Sequence, residues 1–194
     1  MHQLKESRAT VEDLMAMPED TKAELIDGVI YAMAPVAANH SFTSTKLVSK
    51  VSLSIDNKKK KGPSDMDSWV ILAEAWTDYG VYNSFVHDIA AFSKKDLPAL
   101  PERGPIMAKP VWVCEIISPS NWINDTQRKR VVLEKHRVPY YWLVDPIRKN
   151  IQVFELKDGV EHYQIIQAVE NADGVMKLPP FGDLEIDLMQ IFDY

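Results

Sequence analysis

Two acids stand inside runs that are otherwise apolar, and a lysine follows the second of them on a segment of helical composition. Asp88 lies within Phe85 to Phe92, and Glu115 within Val111 to Ile117. An isolated ionised carboxylate among apolar side chains is heavily penalised, so each needs a proton, a cation, a metal or hydrogen-bond donors. Strand side chains alternate between faces. Alternation groups Glu115 with Val111, Val113 and Ile117, and Asp88 with Val86, Ala90 and Phe92. Two such acids on adjacent strands make a seat for a hard divalent cation, magnesium or manganese, with waters and substrate oxygens completing its shell. That ion polarises a phosphoryl group and lowers the pKa of a bound water, while a nearby ammonium steadies developing charge. Lys129 is the candidate ammonium, because its spacing to Val132 and Leu133 directs it along the packed side of a helix. Phosphodiester hydrolysis is the chemistry this set suits; a lysine that merely reaches solvent is the ordinary alternative.

The elements that must position these groups are legible around them. Ser118-Pro119-Ser120 ends the strand of Glu115, since proline lacks the ladder donor. A helix is expected from Asn124 or Asp125 to about Arg137, then a buried strand from Tyr140 to Val144 stopped by Asp145-Pro146. Upstream, Thr10 caps a short helix, and Asp27-Gly28 joins Ala23 to Ile26 with Val29 to Met33 as a hairpin with Glu24 at its entrance. Leu47, Val51 and Ile55 recur at helical spacing, predicting a helix from His40 to about Asn57 that ends at the cations Lys58 to Lys61. His40 then falls in its first turn, facing either a cleft or solvent. Trp69 to Ala73 reads as a strand, and the proline-rich stretch from Ser93 to Pro110 as an irregular loop placed to gate a cleft. Ile151 to Leu156 pairs with Tyr140 to Val144, His162 to Val169 follows, and a tail around Leu188 and Ile191 closes the core. Strands and helices mixed in this way predict an α/β fold.

Composition bounds the reading. With 194 residues, 46% of them hydrophobic, the chain can bury a full core, and one domain over 1–194 is expected. No long apolar run and no charged-then-apolar leader is visible, so a cytoplasmic protein without membrane contact is expected. The single cysteine, Cys114, excludes an internal disulfide and reads as core rather than nucleophile. A net charge of −6 excludes coating nucleic acid by bulk electrostatics but not local phosphate contact through Lys58 to Lys61, Lys94-Lys95 or Arg128 to Arg130.

The segments Glu24-Leu25-Ile26-Asp27-Gly28-Val29-Ile30-Tyr31, His40, Val86-His87-Asp88, Glu115 through Ser120, Asp125 with Lys129, and Tyr141-Trp142-Leu143-Val144-Asp145-Pro146 occur in this order. In that combination the chain resembles the Uma-two family of restriction endonuclease-like proteins, from about Val11 to the end. That family is similar to the PD-(D/E)XK nuclease superfamily. The resemblance implies a mixed central sheet flanked by helices, with extra C-terminal strands, and the roles of two metal-holding acids and a lysine for Asp88, Glu115 and Lys129. It adds Glu24 as a further acid and His40 as a neighbour of the site. The sequence departs from the pattern in places: Ile117 stands at the usual lysine position, which moves the lysine onto the helix as Lys129. His87 replaces a proline, Leu133 an aromatic residue, Arg137 a glycine and Tyr140 a glutamate. The expected function is a magnesium- or manganese-dependent nuclease acting on DNA, working as a homodimer because cutting two strands needs two sites. The alternatives are a non-catalytic nucleic-acid or protein interaction module that keeps the fold, and a hydrolase of small phosphorylated substrates.

Overall fold

The computed structural model describes residues 8–18, 20–59, 68–119, 121–170, 174–182 and 185–193. In chain order these form α1 (Val11–Met15), β1 (Ala23–Ile26), β2 (Val29–Ala32), α2 (Ala38–Lys59), β3 (Trp69–Asp78), β4 (Ser84–Ser93) and β5 (Trp112–Ile116). A π-helical turn (Asn124–Lys129) then runs into α3 (Arg130–Lys135), followed by β6 (Tyr140–Asp145), β7 (Asn150–Glu155), β8 (Gln164–Val169), β9 (Val175–Lys177), β10 (Glu185–Asp187) and α4 (Met189–Phe192). Eight strands make one mixed sheet in the order β2-β1-β4-β5-β6-β7-β8, with β3 also on β4; β9 and β10 form a separate pair. Among the described strands β5 and β6 are the parallel pair, and the crossover between them carries the π turn and α3. The α/β architecture, with its extra C-terminal strands, agrees with the sequence expectation.

Alternation along β5 separates two cores. Trp112, Cys114 and Ile116 pack with Leu47, Val51 and Ile55 of α2, where Trp142 and Phe181 also lie. Val113 faces the opposite layer, with Val132 and Leu133 of α3, Tyr141 and Phe154. Full burial of each of these aliphatic side chains contributes about 1.5–3 kcal/mol. Cys114 is completely buried, and that burial pushes its thiol pKa well up, so it is core as expected.

The decisive topological feature is on β4. β3 pairs with one edge of β4 from Ser84 to Ser93. β1 and β5 must therefore share the other edge: β1 meets it at Ser84, and β5 at Ile89, Ala90 and Ala91. Between those contacts, around Val86 and Asp88, no strand among the described residues covers this second edge. Buried backbone donors and acceptors need partners. Here side chains supply them, and those side chains are the acids and the lysine singled out above.

The pleat breaks at the same place. Phe85 belongs to the core beneath α3, whereas Ile89 and Ala91, of the same parity, belong to the α2 core. Ala90 and Phe92 lie on the α3 side, while Asp88 reaches His40 of α2. The expected grouping of Asp88 with Ala90 and Phe92 is thus corrected. On β3, Glu74 adopts φ 48°, and the ladder skips the Glu74 and Asp88 positions between Ala73↔Ile89 and Ala75↔His87. Left-handed backbone costs a non-glycine residue about 1–2 kcal/mol, and such strain concentrates at functional sites.

Other expectations are refined. Thr10 caps α1 through a capping box with Asp13. Asp27 and Gly28 both have positive φ, 51° and 75°, as a type I′ hairpin turn requires. The stretch after β4 is tied to β3 at one point, where Ile106 donates to Trp76 O at 2.7 Å and accepts from Asp78 N at 2.9 Å. Lys60, Lys61 and Ser120 lie outside the described residues, as do the side chains of Lys58 and Lys59. Arg137, at the position where the family pattern has glycine, explains itself: its φ is 56°, and it closes α3 in a Schellman motif, with Val138 N donating to Leu133 O at 3.0 Å. Its guanidinium donates to Val160 O and, at 2.7 Å, to Lys157 O. Arg137→Gly is therefore expected to be about 1 kcal/mol more stable than Arg137→Ala, because both lose these bonds but only glycine relieves the backbone. Urea unfolding of the two variants measures the difference; equal stabilities would contradict it.

Candidate active site

The open edge of β4 is filled from four directions. From β1, Glu24 accepts from Val86 N at 3.1 Å. From the π turn, Lys129 donates to Val86 O at 3.1 Å and pairs with Glu24 Oε1 at 2.9 Å. From β5, Glu115 Oε2 accepts from Asp88 N at 3.2 Å. From β4 itself, Asp88 Oδ2 reaches across to accept from Ile116 N at 2.7 Å, and the first turn of α2 sets His40 Nε2 at 3.1 Å from the same oxygen. Glu24, Glu115 and Lys129 are each no more than 2% exposed, so Glu24 is a buried constituent of the site and not an exposed acid at a hairpin entrance. The structure brings together all five residues predicted from the sequence, Glu24, His40, Asp88, Glu115 and Lys129, around one cavity, joined there by Asp125.

That cavity has a volume of about 30 Å³, against the 10–15 Å³ a single water needs by the same measure. It borders a second cavity of about 320 Å³ with which it shares Asp88, Val86 and Pro35, so Asp88 stands between the buried charges and a wider groove. The electrostatics are unbalanced. Lys129 Nζ lies 2.9 Å from Glu24, 3.2 Å from Asp125 and 3.6 Å from Glu115. Burial opposes its charge, but these carboxylates with Asp88 outweigh burial and hold its pKa well above the ordinary value. Four carboxylates nevertheless share one ammonium. Burial, only partly offset by Lys129, pushes Glu115 up to about 8 and raises Asp125 well above the carboxylate range. Asp125 Oδ1 is buried and, although within ion-pair distance of Lys129, has no hydrogen-bond partner among the described residues. An excess of hard oxygen donors with an orphaned carboxylate oxygen among them fits a divalent cation. Among the described residues no three acid, imidazole or thiol groups form a ready-made cage. Magnesium characteristically takes one or two carboxylates and keeps its waters, so two protein ligands suffice.

Residues 11–189 match the family Uma2, described as "Putative restriction endonuclease". The chain belongs to the Uma2 family. No curated protein matches it. Among solved structures it is similar to a crystal structure from Anabaena variabilis described as "a putative nuclease belonging to DUF820", with a TM-score of 0.73 and 22% identity over 94% of this chain and 97% of that one. That likeness shows the shared fold. No helix among the described residues is long and apolar enough to cross a membrane.

Against the Uma2 pattern, His87 is the residue that sequence reasoning undervalued. It is wholly buried, with Nδ1 at 2.7 Å from Glu115 Oε1 and Nε2 at 2.7 Å from the Tyr79 hydroxyl. With Glu115 ionised, as a metal ligand is, the His87 imidazole donates to it through Nδ1 and accepts at Nε2 from the Tyr79 hydroxyl. Burial and the nearby Lys129 lower its pKa to about 3, keeping it neutral. The His87–Glu115 pair therefore holds one titratable proton in the folded metal-free protein from about pH 3 to about pH 8. Unfolded, Glu115 loses its proton near 4.5 and His87 near 6.5. Glu115, raised on folding, stabilises fully below 4.5 and loses that contribution as pH rises to 8. His87, lowered on folding, does the reverse, losing its contribution as pH falls from 6.5 to 3. The two slopes cancel between 4.5 and 6.5, so the pair's contribution is flat there and falls on either side by about 1.4 kcal/mol per pH unit. Urea unfolding across pH is expected to show an alkaline decline that Glu115→Gln reduces, Asp125 supplying the remainder. An identical decline in that variant would contradict the assignment.

Proposed function

We propose that this chain is a divalent-metal-dependent nuclease that hydrolyses phosphodiester bonds in DNA, with Asp88 and Glu115 as metal ligands and Lys129 as the active-site cation. The observation that carries this reading is the convergence of two strand-borne carboxylates and a buried ammonium where β4 lacks a neighbouring strand. Asp88 and Glu115 would hold magnesium or manganese, which when bound would supply phosphoryl polarisation and water activation. Lys129, anchored on Val86 O and Glu24, holds positive charge where negative charge develops on the phosphate. Glu24 keeps that ammonium in place, and His40 fixes the rotamer of Asp88 through Oδ2. His87 and Tyr79 fix Glu115 in the same manner from behind. A homodimer would present two such sites to the two strands of a duplex.

The test is cleavage of plasmid and oligonucleotide DNA by purified protein with magnesium or manganese, and with the metal removed by EDTA. Metal-dependent nicking or linearisation that EDTA abolishes is expected. Hydrolysis of small phosphodiesters with none of DNA would replace this reading with a small-molecule hydrolase.

A further inference from the structure

A cavity of about 430 Å³ lies beside the acid cluster, lined by Ile117, Pro119, Trp122, Asp145, Ile147 and Arg148. It sits beyond the carboxyl ends of the parallel strands β5 and β6, the place where open sheets carrying parallel strands characteristically bind ligands. One chain segment separates the two cavities: Ile116, Ser118 and Asn121 line the acid cavity, and Ile117, Pro119 and Trp122 line this one. A group seated here is therefore one loop's thickness from the reacting phosphate.

The motif Tyr141 to Pro146 carries Asp145 as its next-to-last residue, and the proposed hydrolysis leaves this acid without a role. The structure gives it one. Asp145 Oδ1 accepts from the backbone N–H groups of Ile147 and Arg148, both at 2.9 Å, and Oδ2 accepts from Arg148 Nη1 at 3.0 Å. Its carboxylate is fully engaged in shaping the β6–β7 turn, which displays Ile147 and the Arg148 side chain, 64% and 72% exposed, at the cavity. Trp122 lines the same cavity, 45% exposed and without a ring contact to another aromatic side chain among the described residues. An aromatic plane, an apolar wall and a guanidinium whose charge is already matched by Asp145 suit a planar, uncharged group better than a phosphate. Cavities of about 300–1,000 Å³ are the usual size for small-molecule groups.

We propose that this cavity receives an unstacked nucleobase of the nucleic acid whose backbone lies at the acid cluster, with Trp122 as its stacking platform and Arg148 as a hydrogen-bond donor to its edge. The inference rests on the nuclease reading and names the part of the substrate that reading leaves unplaced. Base stacking on an aromatic side chain tolerates every base, so the subsite favours locally unpaired strands without fixing a sequence.

The test compares two single-stranded DNA oligonucleotides of equal length and charge, one bearing thymine bases and one bearing abasic sites. Binding is read by fluorescence anisotropy with calcium in place of magnesium, and magnesium-dependent cleavage is followed on the same preparations. The protein is expected to bind the base-bearing strand about tenfold more tightly. Trp122→Ala, at an exposed position, is expected to bind both strands with the abasic affinity, Trp122→Phe to keep part of the preference, and Arg148→Ala to weaken it. Preference retained in full by Trp122→Ala would overturn the subsite while cleavage by the same preparation leaves the nuclease reading standing. Failure of the unaltered protein both to bind and to cleave DNA would overturn both.

Discussion

Lys129→Met is expected to destabilise the protein by about 3–5 kcal/mol, the usual consequence of removing one partner of a buried ion pair and leaving the other charged. Methionine matches the length of the lysine stem, so packing against Phe85, whose ring centroid lies 5.5 Å from the ammonium, changes little. What is lost is the cation. Glu24 is then left in a buried cavity without its cation, and Val86 O loses its donor on the edge of β4 that no described strand covers. Neutralising one carboxylate tests this cause directly: Glu24→Gln with Lys129→Met is expected to recover part of the loss, measured as coupling in a double-mutant cycle by urea unfolding. Additive effects of the two substitutions would contradict the pairing. Cleavage by Lys129→Met, assayed well below its unfolding midpoint, is expected to fall about 10²- to 10³-fold, the typical cost of deleting one charge-stabilising group.

Asp88→Asn is expected to separate chemistry from stability in the opposite way. The amide oxygen still accepts from Ile116 N, a 2.7 Å contact in the parent, and still faces His40. Removing a negative charge from a cluster with four carboxylates relieves repulsion. Burial and then Asp88 raise the proton affinity of Glu115 against the pull of Lys129, so Glu115 titrates lower in the variant. Unfolding free energy is expected to stay within about 1 kcal/mol of the parent or to rise, since the hydrogen bond from Ile116 N is kept while repulsion is relieved. Metal-dependent cleavage, by contrast, is expected to fall about 10³-fold or more, equivalent to about 4 kcal/mol of lost transition-state stabilisation. Cleavage within tenfold of the parent would remove Asp88 from the metal.

The sequence disclosed the acids because a charged residue inside an apolar strand has few benign explanations, and Asp88 and Glu115 both lie in such strands. It disclosed Lys129 because i, i+3 and i, i+4 spacing ties it to Val132 and Leu133, which are buried. The π turn that carries it was beyond reach, since one extra residue per turn leaves no mark on an apolar pattern. Glu24 looked like an ordinary hairpin acid because its burial depends on β1 and β5 sharing one edge of β4, a long-range fact. His87 was hidden for a different reason. Period-two alternation assigned it to the face opposite the site, and the break at Glu74 and Asp88 turned it inward onto Glu115. A histidine beside an acid on an apolar strand is the signal that could have found it.

The account turns on whether Asp88 and Glu115 hold a divalent ion beside Lys129. Diffraction from crystals grown in manganese, recorded for its anomalous scattering, measures this directly. The account predicts one anomalous peak coordinated by oxygens of Asp88 and Glu115, with Lys129 Nζ facing the same cavity. A saturating manganese concentration that leaves no peak between those carboxylates would contradict it.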